Sequence, residues 1–151
     1  MSDILYNGYT ISTDKSRLDV DYIHRYISVD SYWGRHIPAS VVRASIANSF
    51  CVGAYKEQQQ VGFARLITDY ATFGYLADVF VDEAHRGRGL SKQIVSLIMS
   101  QPFVGGLRRL MLGTRDAHRL YARYGFTKLK NPDAFMEIHR PDIYSQNKEH
   151  G

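Results

Sequence analysis

An apolar run, Tyr75-Leu76-Ala77-Asp78-Val79-Phe80-Val81, leads straight into Asp82-Glu83-Ala84-His85-Arg86-Gly87-Arg88-Gly89 and then into Leu90-Ser91 and beyond. The first part reads as a buried strand. In the last part Leu90, Ile94, Leu97 and Ile98 fall on one face of a helix that we place at Gly89 to Ser100, with Pro102 just past its end. A strand joined to an amphipathic helix by a short glycine turn must lay that helix on its own sheet, which restricts the chain to α/β architectures. The turn also has the physics of an anion site. Glycines let the backbone approach a ligand closely, and the free N–H groups and dipole of a helix start favour negative charge. Two common nucleotide loops are excluded: G-x-x-x-x-G-K-[ST] is absent, and Lys92 stands where a dinucleotide fingerprint would need its third glycine.

The flanking pattern extends the same plan. Ile4 to Ser12 reads as a strand, Arg17 to Ser28 as a first helix, and a short helix follows Pro38 to about Ser49. Three strands come next, Phe50 to Tyr55, Val61 to Asp69 and Thr72 to Val81, joined closely enough to be antiparallel hairpins. After the glycine turn and its helix come a strand at Arg109 to Leu112, a helix at Ala117 to Tyr124 capped by Asp116 and stopped at Gly125, and a last strand at Phe135 to His139. The expectation is one α/β domain over residues 1–144, with a mixed, mostly antiparallel sheet flanked by helices. Residues 145–151 form a polar tail expected to fray.

Charge and cysteine content narrow the classes. The formal balance is +4, and the arginines cluster late, at 86 and 88, 108 and 109, and 115, 119 and 123, a field that favours anionic ligands. Nucleic acid is not expected as the partner, because the aromatics are not interleaved with a basic stripe. Cys51, the only cysteine, excludes an internal disulfide and a multi-thiolate zinc site, and it suits a small buried hydrophobe. The histidines show no H-E-x-x-H pattern, so no metal is expected. No apolar run approaches membrane-spanning length and no signal-like start is visible; a cytoplasmic location is expected.

Residues Val81 to Ser91 resemble the acyl-CoA-binding motif of the GNAT N-acetyltransferase superfamily, Q/R-x-x-G-x-G/A. Arg86, Gly87, Arg88, Gly89, Leu90 and Ser91 occupy it in order. A second signature of that family, Leu-Tyr-x-x-x-Gly-Phe, is matched by Leu120-Tyr121-Ala122-Arg123-Tyr124-Gly125-Phe126, and the element order agrees over nearly the whole chain. Two departures stand out: Ser91 replaces the usual Gly or Ala, and Asp116 sits where many relatives carry Asn beside the pantetheine arm.

The resemblance implies acetyl-CoA as co-substrate and an amine as acceptor, with direct transfer and no covalent enzyme intermediate. The pyrophosphate would lie on the backbone N–H groups of Arg86 to Ser91, and the pantetheine arm beside Leu76–Val81. A backbone N–H there, such as that of Phe80, would polarise the thioester carbonyl. Tyr121 matches the family's proton donor to the leaving sulfur. With a phenol pKa of about 10 against about 8.5 for a thiol, that transfer is mildly uphill in water. Asp78, the only charge in its strand, leaves two roles open: general base, or a carboxylate satisfied by backbone or arginine.

Tyr32, Trp33 and His36 lie where the family often shapes its acceptor pocket, although a loop that packs its one Trp for stability would look the same. A small-molecule amine is the leading acceptor. A protein or aminoacyl-tRNA amine and a non-catalytic acyl-CoA-binding module are the alternatives, and homodimerisation is expected by analogy.

Overall fold

Asn7 and Gly8 both adopt positive φ, 48° and 85°, the turn conformation whose twist matches a right-handed hairpin. The expected strand from Ile4 to Ser12 is therefore two strands, β1 (Ile4–Tyr6) and β2 (Tyr9–Ser12), paired antiparallel. The Asn-Gly dipeptide was the available signal. The computed structural model describes residues 3–147.

The expected first helix is shorter and broken. A 3-10 turn at Lys15–Arg17 precedes α1 (Val20–Arg25), whose start is set by Asp19 accepting the Tyr22 N–H at 3.0 Å. A wider helical turn, Tyr26–Asp30, follows it. After Pro38 comes α2 (Ala39–Ala47), and then the meander β3 (Ser49–Lys56), β4 (Gln59–Thr68) and β5 (Phe73–Val81). These three strands are antiparallel neighbours, as their tight connections predict. The chain continues through α3 (Leu90–Met99), α4 (Pro102–Gly105), β6 (Arg109–Leu112), α5 (His118–Ala122) and α6 (Ile143–Asn147). The sheet runs β1-β2-β3-β4-β5-β6, antiparallel except for the β5–β6 pair.

Both faces of the central strands are covered, so neighbouring residues enter different cores. Val52, Ala64 and Val81 face α3 with Leu90, Ile94 and Ile98; Cys51, Phe63 and Phe80 face α1 and α2 with Ile23, Val42 and Ile46. That double coverage explains why β3 to β5 are so apolar. No helix among the described residues is long and apolar enough to cross a membrane.

Three local expectations are corrected. Phe135–His139 joins no strand; a 3-10 turn at Pro132–Ala134 leads instead into an exposed, unpaired stretch. Asp116 does not cap α5: the Ala117 N–H donates to the Thr114 hydroxyl at 3.1 Å. The proposed tail from residue 145 starts inside α6, and residues 148–151 lie outside the described residues. Gly125, with φ of 95°, sits just past α5 as a glycine stop should.

Candidate functional site

The glycine loop is shaped by backbone conformation. After β5, Asp82 caps a 3-10 turn at Glu83–His85, and Gly87 and Gly89 then take φ of 77° and 82°. At Gly87 only the backbone angle requires glycine, since an added Cβ would meet open space. At Gly89 a Cβ would also stand 2.6 Å from the Tyr6 hydroxyl, which itself donates to the Arg88 carbonyl at 2.9 Å. Glycine is thus demanded twice at 89.

No side chain caps the start of α3, so its first N–H groups are free to meet an anion. They open on a small cavity of about 220 Å³ walled by Arg86, Gly87, Gly89, Leu90 and Ser91. The Arg86 side chain turns away from it. Its Nε donates to the Val81 carbonyl at 3.0 Å and a terminal nitrogen to the Tyr26 hydroxyl at 2.9 Å, which ties the loop to the helical layer. Arg88 is exposed.

Beside the loop the sheet splits. β5 and β6 pair from Phe73↔Arg109 to Leu76↔Leu112; β6 ends there while β5 runs on through Ala77–Val81. The same stretch carries an irregular register against β4 and a positive φ of 53° at Asp78. Such a bulge bends a strand and frees backbone groups from the ladder. The Asp82 N–H donates to the Val61 carbonyl at 2.7 Å, and backbone direction alternates along a strand. The Phe80 N–H therefore turns toward β4 with it, and the Val81 N–H faces the split. The Phe80 ring is buried and stacks on Tyr26 with centroids 3.8 Å apart.

The split opens into a cleft of about 620 Å³ whose wall includes Tyr32, Trp33, Asp78, Asp116, Tyr121 and His139. Asp78 is engaged on both oxygens: one accepts from Trp33 Nε1 and the other from Arg65 Nε, each at 2.6 Å. The ion pair is largely buried, and Arg65 reaches on to the Ser49 hydroxyl at 3.1 Å. Tyr32 packs edge-on to Trp33, with Arg115 lying 3.9 Å over its ring. His36 stays outside that lining; it is exposed, holds a left-handed turn at φ of 68° and donates its N–H to Ser28.

Tyr121 is buried, yet its hydroxyl has no hydrogen-bond partner among the described residues. Burial first, and Tyr32 second, push its phenol above the ordinary range, so it keeps its proton well past neutral pH. Tyr124, its neighbour, is committed to structure: its hydroxyl meets Ser96 at 2.8 Å and the Lys92 carbonyl at 2.9 Å, tying α5 to α3. Cys51 is buried, and desolvation raises its thiol to about 11, which makes it a core residue rather than a nucleophile. Among the described residues no group of three His, Cys, Asp or Glu is placed to hold a metal.

Sequence reading missed Arg65, Arg115, Tyr6 and Tyr26, each of which acts across a long stretch of chain. Only an arginine within the apolar β4 run hinted at Arg65.

Comparison with known proteins agrees with this fold. A Gibberella zeae protein named as a candidate acetyltransferase, FG08082, is 33% identical, with 76% of each chain covered. A crystal structure of a candidate GNAT-family acetyltransferase from Xanthomonas campestris pv. campestris is 50% identical. It superposes with a TM-score of 0.89 over 91% of this chain and 96% of that one. At the level of fold alone, the structure of a candidate acetyltransferase from Clostridium acetobutylicum solved with acetyl-CoA matches at a TM-score of 0.63 and 14% identity, covering 87% of this chain and 94% of that one. Residues 20–126 match the acetyltransferase (GNAT) family, and the chain belongs to it.

Proposed function

We propose that this protein transfers the acetyl group of acetyl-CoA directly to the primary amine of a small molecule. The observation that carries the reading is a split sheet edge flanked by two cavities, one at an uncapped helix start and the other holding a buried phenol with an open hydroxyl.

The residues present fit acetyl-CoA. Free N–H groups from Gly87 to Ser91 suit its pyrophosphate, glycine at 89 leaves the backbone bare, and the split beside Ala77–Val81 suits an extended pantetheine arm. When bound, acetyl-CoA supplies a thioester carbonyl that an amine nitrogen attacks, the C–S bond breaking as the amide forms. The Val81 N–H, turned into the split, is the donor placed to stabilise charge on the carbonyl oxygen; on this geometry it replaces Phe80 in that role. Tyr121 donates its phenolic proton to the departing sulfur and regains one from solvent. Its raised pKa keeps it in the acid form and makes the transfer more uphill, so proton movement accompanies C–S cleavage.

Asp78 is a positioning residue on this reading. Both oxygens are occupied, so it orients Trp33 and Arg65, and the amine loses its proton to water. Tyr32, Trp33 and Arg115 form the acceptor wall, and Asp116 lies on the cleft beside the arm. The cleft, about 620 Å³, is of a size that suits a small acceptor. The decisive assay is CoA release from acetyl-CoA across amino acids, polyamines, arylalkylamines, aminoglycosides and short peptides. Turnover with a small amine supports the proposal; acetyl-CoA binding with no turnover on any amine overturns it in favour of a binding module.

A further inference from the structure

The wall of the large cleft carries two arginines and two aspartates, and only one of each is matched. Arg65 and Asp78 form a largely buried ion pair. Arg115 and Asp116 line the same cleft, and among the described residues neither side chain has an ion-pair or hydrogen-bond partner. Arg115 is nevertheless held in place: its guanidinium lies 3.9 Å over the Tyr32 ring, which fixes the cation while its N–H donors stay open. The two residues are consecutive, so one free cation and one free anion stand together on the short stretch between β6 and α5.

A ligand that answers both must carry both charges close together. A polyamine or an arylalkylamine offers only the cation and leaves the guanidinium unmatched. An α-amino acid carries ammonium and carboxylate on one carbon, and a guanidinium grips a carboxylate through two parallel N–H bonds.

The rest of the acceptor wall is apolar and open. Tyr32, Trp33, Ile67 and Tyr75 all line the cleft and are 36% to 49% exposed. Ile67 and Tyr75 stand opposite each other on β4 and β5, on one side of the sheet. The Tyr75 side chain reaches across to the end of β6, where a Cβ at Gly113 would lie 3.2 Å from its hydroxyl. Large side chains left this open on a concave wall form a contact surface for an apolar ligand group.

We propose that the acetyl acceptor is an α-amino acid with a large apolar or aromatic side chain. Arg115 takes the carboxylate, Asp116 draws in the ammonium, and the face made by Tyr32, Trp33, Ile67 and Tyr75 takes the side chain. The inference rests on the acetyl-transfer reading and names its substrate class. The neutral α-amine forms the C–N bond as the C–S bond breaks, giving an N-acetyl amino acid and CoA; the amine proton passes to water and the departing sulfur takes the proton of Tyr121. Acetylation removes the positive charge, so the product loses its attraction to Asp116 and leaves.

Three acceptors separate the parts of the proposal: L-phenylalanine, phenethylamine, which lacks only the carboxylate, and L-alanine, which lacks only the ring. CoA release is expected to give phenylalanine a kcat/KM at least tenfold above either. Arg115→Met should bring the ratio of phenylalanine to phenethylamine to within about twofold of one, chiefly through KM for phenylalanine, and Arg115→Lys should restore part of it. Arg115 is exposed, so neither variant threatens the fold. Ile67→Ser should narrow the gap between phenylalanine and alanine. Phenethylamine used as well as phenylalanine, alanine used as well as phenylalanine, or a preference that survives Arg115→Met overturns the proposal while acetyl transfer stands. Turnover of no amine at all, with acetyl-CoA bound, overturns both.

Discussion

The glycine loop and the aromatic cleft are two walls of one surface, built by opposite means. The loop is local: a strand end, two left-handed glycines and a helix start, all within residues 81–91, point backbone donors at one place. The cleft is assembled from afar. Trp33, Arg65 and Asp78 come from three segments and meet through hydrogen bonds of 2.6 Å, and Tyr121 arrives from a fourth. A wall made of backbone depends on which conformations the chain tolerates. A wall made of side chains depends on what those side chains touch. Substitutions should therefore act on different measurements: cofactor affinity for the loop, and turnover or acceptor affinity for the cleft.

The sharpest test of that division is Tyr121→Phe. Loss of a general acid lowers turnover by roughly 100- to 10,000-fold. The dissociation constant for acetyl-CoA, read by calorimetry, should change less than about twofold, since only a cleft-facing hydroxyl is lost. An equal loss of both would end the proton-donor role. The pH profile adds a sign: a donor must be protonated, so turnover falls as pH rises through its pKa. Because burial raises that pKa, the alkaline limb due to Tyr121 should lie above the range of an ordinary phenol.

Arg65→Met comes next. Removing one partner from a largely buried ion pair leaves Asp78 unmatched and costs about 3 kcal/mol, at the low end for such pairs. For a chain of this size that lowers Tm by roughly 6–12 °C. Acceptor KM should rise as Trp33 loses its anchor, with acetyl-CoA affinity nearly kept. Gly89→Val attacks the other wall. A left-handed β-branched residue costs about 2 kcal/mol, and contact with Tyr6 adds to it, so acetyl-CoA affinity should fall by roughly 30-fold or more. Gly87→Ala meets open space and carries the backbone cost alone, a loss of about tenfold or less.

The smallest effect belongs to Tyr6→Phe, which removes one hydrogen bond to the Arg88 carbonyl. A bond of about 1 kcal/mol corresponds to roughly fivefold weaker acetyl-CoA binding with turnover at saturation unchanged. A larger loss of turnover would show that the two walls are coupled more tightly than their construction suggests.

Much of the fold was legible in residue patterns. The meander β3 to β5, helix α3 and strand β6 lie where periodicity places them, because each shows its apolar face in a window shorter than the element's contacts. The errors have physical causes. Asn7-Gly8 splits one expected strand, since a two-residue turn interrupts alternation without adding polar length. Asp116 was expected to cap α5, yet Ala117 holds the cap position with no side-chain cap and gives its own N–H to the Thr114 hydroxyl; only the chain's path decides which residue stands there. Phe135–His139 has a strand's pattern and no strand's partner; a ladder is a property of two segments, and pattern reports on one.

At the site the same division holds. Gly87, Gly89 and the helix start were readable from sequence because glycine conformation and helix dipoles are local. Tyr121 was readable only through its register with Gly125 and Phe126. What tertiary structure alone decided is the pairing of Asp78 with Trp33 and Arg65, the exclusion of His36 from the cleft, and the turn of the Val81 N–H into the split sheet. Those facts depend on distances between residues far apart in the chain, and on a bulge whose register is set by two strands together.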